Sequence, residues 1–378
     1  RLINTTRDVD APNLAGRLTV ETDERTEFAN IITVTAGTGS LGVDAKESVD
    51  QITVEAGNLT DDEDDSEQTL GANSSTDAWE IEAEGLGTVI INSLDADVDA
   101  GNLQGSLTAN VTGGSDVDIR LNQSASTINT GSTNVTLDAA QVASSETVTL
   151  NNSGDVYLFN ADDGITVDGG SNYTGELTVK TASLSSTETV DVVSSSDATT
   201  IIGQGGTVDV NAVALADNTN LTIQGSSVVN VTNLQGDVVA GSSTGSLDIT
   251  TISNANLAIE TGSANAEVSS ASGNVSIDAG SMATSTTLTI DGGATITVTE
   301  VGTDVTVDAD APLTGTLDVT TKDGATGVIV KTGEAVTDVS TGSDASGVVD
   351  VDADQMLDNV LLTLDGASQV TVDGLIGD

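Results

Sequence analysis

Three short patterns recur in one order along this chain at intervals of about 70 residues, and that self-similarity restricts the fold more than any other feature. Gly105, Gly175, Gly245 and Gly315 stand 70 residues apart, in Leu103-Gln-Gly-Ser-Leu107, Tyr173-Thr-Gly-Glu-Leu177, Ser243-Thr-Gly-Ser-Leu247 and Leu313-Thr-Gly-Thr-Leu317. An earlier copy, Leu14-Ala-Gly-Arg-Leu18, precedes them by 89 residues. A fixed period of this size marks a chain that stacks one supersecondary unit on the next.

The second pattern is Val275-Ser-Ile-Asp-Ala279, which recurs as Val208–Ala212, Val135–Ala139, Ile52–Ala56 and Val349–Ala353. A large apolar residue follows each alanine by three positions: Met282, Leu215, Val142, Leu59 and Met356. The third pattern reads Leu221-Thr-Ile-Gln-Gly225, Leu288-Thr-Ile-Asp-Gly292 and Leu362-Thr-Leu-Asp-Gly366, with Val148-Thr-Leu150 and Trp79-Glu-Ile81 as diverged members. Together they divide the chain into repeats at 9–97, 98–164, 165–237, 238–304 and 305–378, with 1–8 closing a preceding repeat. The surplus of the first repeat is an insertion at 61–77 that opens with Asp61, Asp62, Glu63, Asp64 and Asp65. Such a stretch cannot bury apolar surface and reads as a protruding loop.

Within a repeat, apolar residues alternate at i and i+2, as in Leu257/Ile259, Val275/Ile277 and Ile296/Val298. That is the strand period, and no helical stripe interrupts it. About seven short strands per repeat fit either a parallel β-solenoid or a string of small β-sandwiches. The solenoid is the expected fold. Aromatic residues make up 1 % of the chain, too few for sandwich cores that lean on large rings. Val, Ile, Leu, Ala and Thr suit a narrow coil interior, and no linker separates the repeats. An odd strand count does not divide evenly into two-strand or three-strand turns. Gly377-Asp378 matches Gly236-Asp237, so the chain stops where it could continue. The expectation is a slice of a longer array, or open edges that stack head to tail on another copy.

The formal charge is −50, from 59 acidic and 9 basic residues. Nucleic acid and anionic membranes are repelled, which leaves cations, cationic surfaces, neutral glycans or further copies of the chain as partners. Cysteine and histidine are absent, removing the usual nucleophiles and bases, so no enzymatic activity is expected. Calcium is the expected ligand. Asp95, Asp97 and Asp99, then Asp350, Asp352 and Asp354, and Asp308 with Asp310, place carboxylates at i and i+2 on one strand face. Asp162, Asp163 and Asp168 around Gly164, and Asp237 and Asp304 at repeat boundaries, are further candidates. Sequons at Asn110, Asn134, Asn230 and Asn274 lie on or beside strands and read as incidental.

The segment Val210–Asp237, with its Asn-Ala-x-Ala-Leu-Ala-Asp-Asn-Thr-x-Leu-Thr-Ile-x-Gly run followed by Val-x-Val-Thr-x-Leu-Gln-Gly-Asp, resembles the long β-strand-repeat proteins of Gram-negative bacteria. These are the type I secreted, RTX-like adhesins and S-layer proteins. The Ca²⁺-binding nonapeptide is not reproduced; Gly113-Gly-Ser-Asp-Val-Asp118 only approaches it. The resemblance implies export, folding in external Ca²⁺ and a place at the cell surface. Two expectations follow. One is a structural, non-enzymatic extracellular protein forming a rigid calcium-stabilised rod in a filament, surface layer or adhesin stalk. The other is an adhesin binding module that recognises a glycan or receptor through the acidic insertion.

Overall fold

The computed structural model describes residues 1–23, 31–47, 50–57, 59, 79–113, 116–252, 255–310 and 313–375. The acidic insertion expected at 61–77 lies outside them. The described chain is an all-β parallel solenoid whose contacts divide it into two compact units. Unit 1 comprises Arg1–Leu184 with Glu188–Asp197, and unit 2 comprises Ser185–Thr187 with Ala198–Asp378.

Each unit winds with two strands per turn, so alternate strands build two parallel sheets. In unit 1, sheet 1A runs from Leu2–Thr5 to Leu177–Ser183, and sheet 1B from Val9–Asp10 to Thr189–Val193. In unit 2, sheet 2A runs from Thr199–Gln204 to Leu362–Asp365, and sheet 2B from Thr207–Asn211 to Gln369–Asp373. Parallel registry rules out closed antiparallel sandwiches.

Registry also explains the composition. In sheet 2B, Val229, Leu247, Ala266, Leu288, Val307, Val330 and Val351 are successive partners, and all are at most 4 % exposed. In sheet 1B, Val54, Ile91, Ala109, Ile128 and Leu150 do the same. Strands lie about 4.8 Å apart, so each inward side chain packs on its counterpart one turn away. Burying one such aliphatic group contributes about 1.5–3 kcal/mol. One turn takes 18 to 23 residues along the sheet 2B row.

The odd strand count has a simple resolution. The second pattern occupies Gln51–Glu55 of sheet 1B and Val135–Asp138 of sheet 1A, seven described strands on. In unit 2 it occupies Thr207–Asn211 of sheet 2B, Gly273–Asp278 of sheet 2A and Val348–Asp352 of sheet 2B, again at seven-strand steps. One repeat is therefore three and a half turns, and equivalent residues alternate between the two sheets of a unit.

The motifs turn out to be corner and bulge devices. The alanine of the second motif is buried and donates its N–H to the next turn, as Ala139 does to Phe159 O (3.0 Å) and Ala279 to Thr299 O (3.0 Å). Its own carbonyl then accepts from the apolar residue three positions on: Leu59 (2.7 Å), Val142 (3.0 Å), Leu215 (3.2 Å), Met282 (3.1 Å) and Met356 (3.2 Å). The aspartate before the alanine closes an Asx turn at the strand exit, Asp278 Oδ1 accepting from Gly280 N–H at 2.8 Å. A left-handed residue bulges every seventh strand: Asn4, Ser93, Asn160, Asn233 and Glu300, at φ 54 to 59°.

The 70-residue glycines serve a different end. None has a positive φ; each sits where the corner passes close to the preceding turn. A Cβ on Gly105, Gly175, Gly245 or Gly315 would overlap the carbonyl oxygen of Gly87, Gly154, Ser227 or Ala294 respectively. Buried Tyr173, two residues before Gly175, lies 2.8 Å through its hydroxyl from both the Gly154 and Glu176 carbonyls, and burial pushes its pKa up.

Two stability predictions follow from the backbone. Gly315→Ala should lower unfolding free energy by about 3 kcal/mol through overpacking, whereas Gly302→Ala, with nothing within 4 Å of its Cβ, should change it by less than about 0.5 kcal/mol. Equal effects in chemical denaturation would contradict the close approach. Glu300→Asn should stabilise by about 0.5–1 kcal/mol, because a glutamate is poorly suited to φ 59°; a loss would place that bulge elsewhere.

Candidate functional site

The outward positions carry the chemistry, and parallel registry turns them into rows. Carboxylates one turn apart repel: two unit charges 4 Å apart interact by about 1 kcal/mol in water and about 4 kcal/mol near a protein surface. The scarce basic residues are placed to relieve this. In sheet 1A, Arg120 lies in register between Asp99 and Asp138. Its Nη1 donates to Asp99 Oδ2 at 2.8 Å, and its Nε is 4.0 Å from Asp138 Oδ2. In sheet 2B, Lys331 lies between Asp308 and Asp352; Nζ is 2.9 Å from Asp308 Oδ2 and 3.4 Å from Asp310 Oδ2. The Asp308 carboxylate pushes the Lys331 pKa up, against the opposing cost of desolvation.

A third row in sheet 1A stacks Glu21, Asp44 and Glu84 in register. Lys46 pairs with Asp44 and reaches Glu21 at 3.7 Å, while Arg1 Nε donates to Glu21 Oε1 at 2.7 Å. The Arg1 hydrogen bond holds Glu21 below the usual carboxylate range, and the bond to Asp44 raises Lys46. Glu84 goes the other way. Desolvation first, then the Asp44 carboxylate, raise its pKa.

Uncharged rows replace ion pairs elsewhere. In sheet 1B, Asn92 Nδ2 donates to Glu55 Oε1 (2.9 Å), Asn110 to Asn92 (2.8 Å), Asn129 to Asn110 (2.6 Å) and Asn151 to Asn129 (2.9 Å). Asn92, Asn110 and Asn129 thus each accept from one neighbouring turn and donate to the other, which leaves no like charges facing. The sequon nitrogens of Asn110, Asn230 and Asn274 are all hydrogen-bonded in such rows.

The expected calcium ligands are spread along these rows and corners. Asp97 is buried and accepts from Asp118 N–H at 2.8 Å, while Asp99 is tied to Arg120 and to Gly101 N–H. Asp95 is half-buried; its Oδ1 is enclosed against Gly113 and has no hydrogen-bond partner among the described residues. Asp162 caps Asp163 N–H, and Asp163 Oδ1 accepts from Thr189 N–H. Asp168 ends a strand of sheet 1B beside Gly170. Asp237 Oδ1 accepts from Ala258 N–H at 2.7 Å, and exposed Asp304 holds φ 55° beside Gly327. Asp308 and Asp352 form Asx turns with the N–H groups of Asp310 and Asp354, and Asp350 is exposed. Among the described residues, no three carboxylates converge as a group that could hold a metal ion.

Sequence reasoning missed Arg120, Lys331, Trp79 and the asparagine row. The signal was one turn of spacing: Arg120 follows Asp99 by 21 residues and Lys331 follows Asp308 by 23. The Arg120 guanidinium also lies 5.1 Å from the ring centre of Trp79. Asp99, Gly101, Asn102, Arg120, Asp138 and Gln141 enclose a cleft of 340 Å³ around it. No family model, curated protein or solved structure matches the chain. No helix among the described residues is long and apolar enough to cross a membrane.

The acidic row of sheet 1A predicts a pH effect. Because the folded pKa of Glu84 is raised above its ordinary 4.5, the folded state binds that proton more tightly than the unfolded chain. Its ionisation therefore lowers stability as pH rises through the folded value. Glu84→Gln should raise the melting temperature at neutral pH and leave it unchanged below 4.5. The same shift at both pH values would contradict the assignment.

Proposed function

We propose that the chain is a structural, non-enzymatic extracellular repeat protein, a calcium-stabilised spacer or lattice element of a filament, surface layer or adhesin stalk. One observation carries this reading: the half-integral repeat presents the same motif on both sheets of each unit. Equivalent chemistry on opposite faces lets one element engage neighbours on two sides, which is what an open assembly requires. Two sheets of stacked turns also give a stiff backbone without large rings or disulfides.

Calcium enters through charge. Nine basic residues cannot neutralise 59 acidic ones, and the unrelieved carboxylates along the rows favour a divalent counter-ion. Asp95, with its enclosed and unpartnered Oδ1, is the first place to look for one. The test compares melting and sedimentation of the full chain in CaCl₂ and in EDTA. The proposal predicts a melting temperature higher by about 10 °C or more in calcium, from preferential binding to the folded state, with concentration-dependent assembly. Identical melting and a monomer in both solutions would overturn it.

A further inference from the structure

The cleft around Arg120 has a composition that neither charge relief nor assembly requires. It lies on the outer face of sheet 1A, across the adjacent strands Val98–Leu103, Val117–Arg120 and Val135–Asp138. Its floor is fixed from several directions. Arg120 is clamped by Asp99 and stacked on Trp79, the single tryptophan of the chain. Gly101 is the residue that leaves room for it, since a Cβ there would stand 2.8 Å from Arg120 Cδ. Asp138 is buried and accepts from Asn160 Nδ2 (2.9 Å) and Ala140 N–H (3.1 Å). The rim carries the exposed amides of Asn102 and Gln141.

Beside the cleft, on the next strand of the sheet, Phe159 lies in register with Asp138 and stacks with Tyr157, ring centres 6.0 Å apart at 20°. Trp79 and Tyr157 are two of only five aromatic residues in 378: Trp79 lies against Arg120, and Tyr157 is exposed two strands further along the sheet, above a buried Phe159.

We propose that this cleft binds a neutral, hydroxyl-bearing saccharide. The chemistry selects the class. Two carboxylates against one guanidinium leave the lining net negative, and the whole chain carries −50, so anionic ligands are repelled. The Arg120 side chain already bridges the gap between Asp99 and Asp138 that a metal ion would need. What remains is a polar floor of fixed acceptors, a rim of amides that both donate and accept, and a flat aromatic flank with exposed Tyr157. Sugar hydroxyls pair with such groups in a directed way, and the apolar face of a sugar ring packs on an aromatic ring. The site lies on the described sheet and does not depend on the structural role proposed above.

Trp79, the only tryptophan, packs against Arg120 of the cleft, so tryptophan fluorescence of the full chain reports on contacts made to Arg120. Cellobiose, maltose and mannobiose should be titrated, with CaCl₂ and a lysine-rich peptide as separate arms. At least one saccharide should change Trp79 emission saturably, with a Kd on the order of 1 mM. The double variant Asn102→Ala/Gln141→Ala should bind it about tenfold more weakly, the loss of two hydrogen bonds, with unchanged circular dichroism and melting. Screening the same proteins on an array of neutral glycans extends the set beyond disaccharides. No saturable response to any neutral glycan overturns the proposal. So does a response to calcium or the peptide alone, or one that the rim variant leaves intact.

Discussion

Parallel stacking at strand spacing is the constraint from which the rest of this structure follows. Every residue of a turn must be compatible with its counterpart about 4.8 Å above and below. Inside, aliphatic rows such as Val229 to Val351 satisfy that condition and exclude water. Outside, like charges cannot stack without cost, so the chain intersperses Arg120 and Lys331 between aspartates and runs an asparagine row where no base is available. At the corners, where backbones converge, only a residue without a Cβ fits, and the 70-residue glycines stand there.

A repeat of three and a half turns has consequences that a whole number of turns would not. The bulged strand, the Asx corner and the close glycine each appear on alternate sheets of a unit, so neither face is specialised by the repeat itself. Differences between faces must then come from single departures: Tyr173 where other copies carry Leu or Ser, the stacked Tyr157 and Phe159 on sheet 1A, or Trp79 against Arg120.

The strand period, the absence of helix and the parallel solenoid were all legible from residues such as Leu257/Ile259 and Val275/Ile277, because burial on one face imposes a two-residue rhythm. The turn length was not. Two strands per turn could not be read while seven per repeat seemed indivisible, and without it Arg120 and Asn110 had no visible partners. The aspartates misdirected attention for a physical reason. At the strand exits, Asp278, Asp308 and Asp352 accept the N–H two residues on, so an i, i+2 pair of carboxylates reflects turn closure as readily as ion binding. Sequence spacing alone does not distinguish the two.

The central claim is that equivalent residues two repeats apart face the same way, seven turns along one sheet. Asp209 and Asp350 are such a pair, on the strands Thr207–Asn211 and Val348–Asp352 that seven successive parallel pairings connect in sheet 2B; residue by residue those pairings carry Asp209 to Asp352, two places along the same face. With no native cysteine in the chain, Asp209→Cys and Asp350→Cys can carry spin labels for a pulsed dipolar distance measurement. Seven strand spacings predict a narrow distribution centred at about 34 Å. A broad distribution, or one centred beyond about 60 Å, would mean that the 140 intervening residues form separate globules instead of a stacked coil, and would contradict the account.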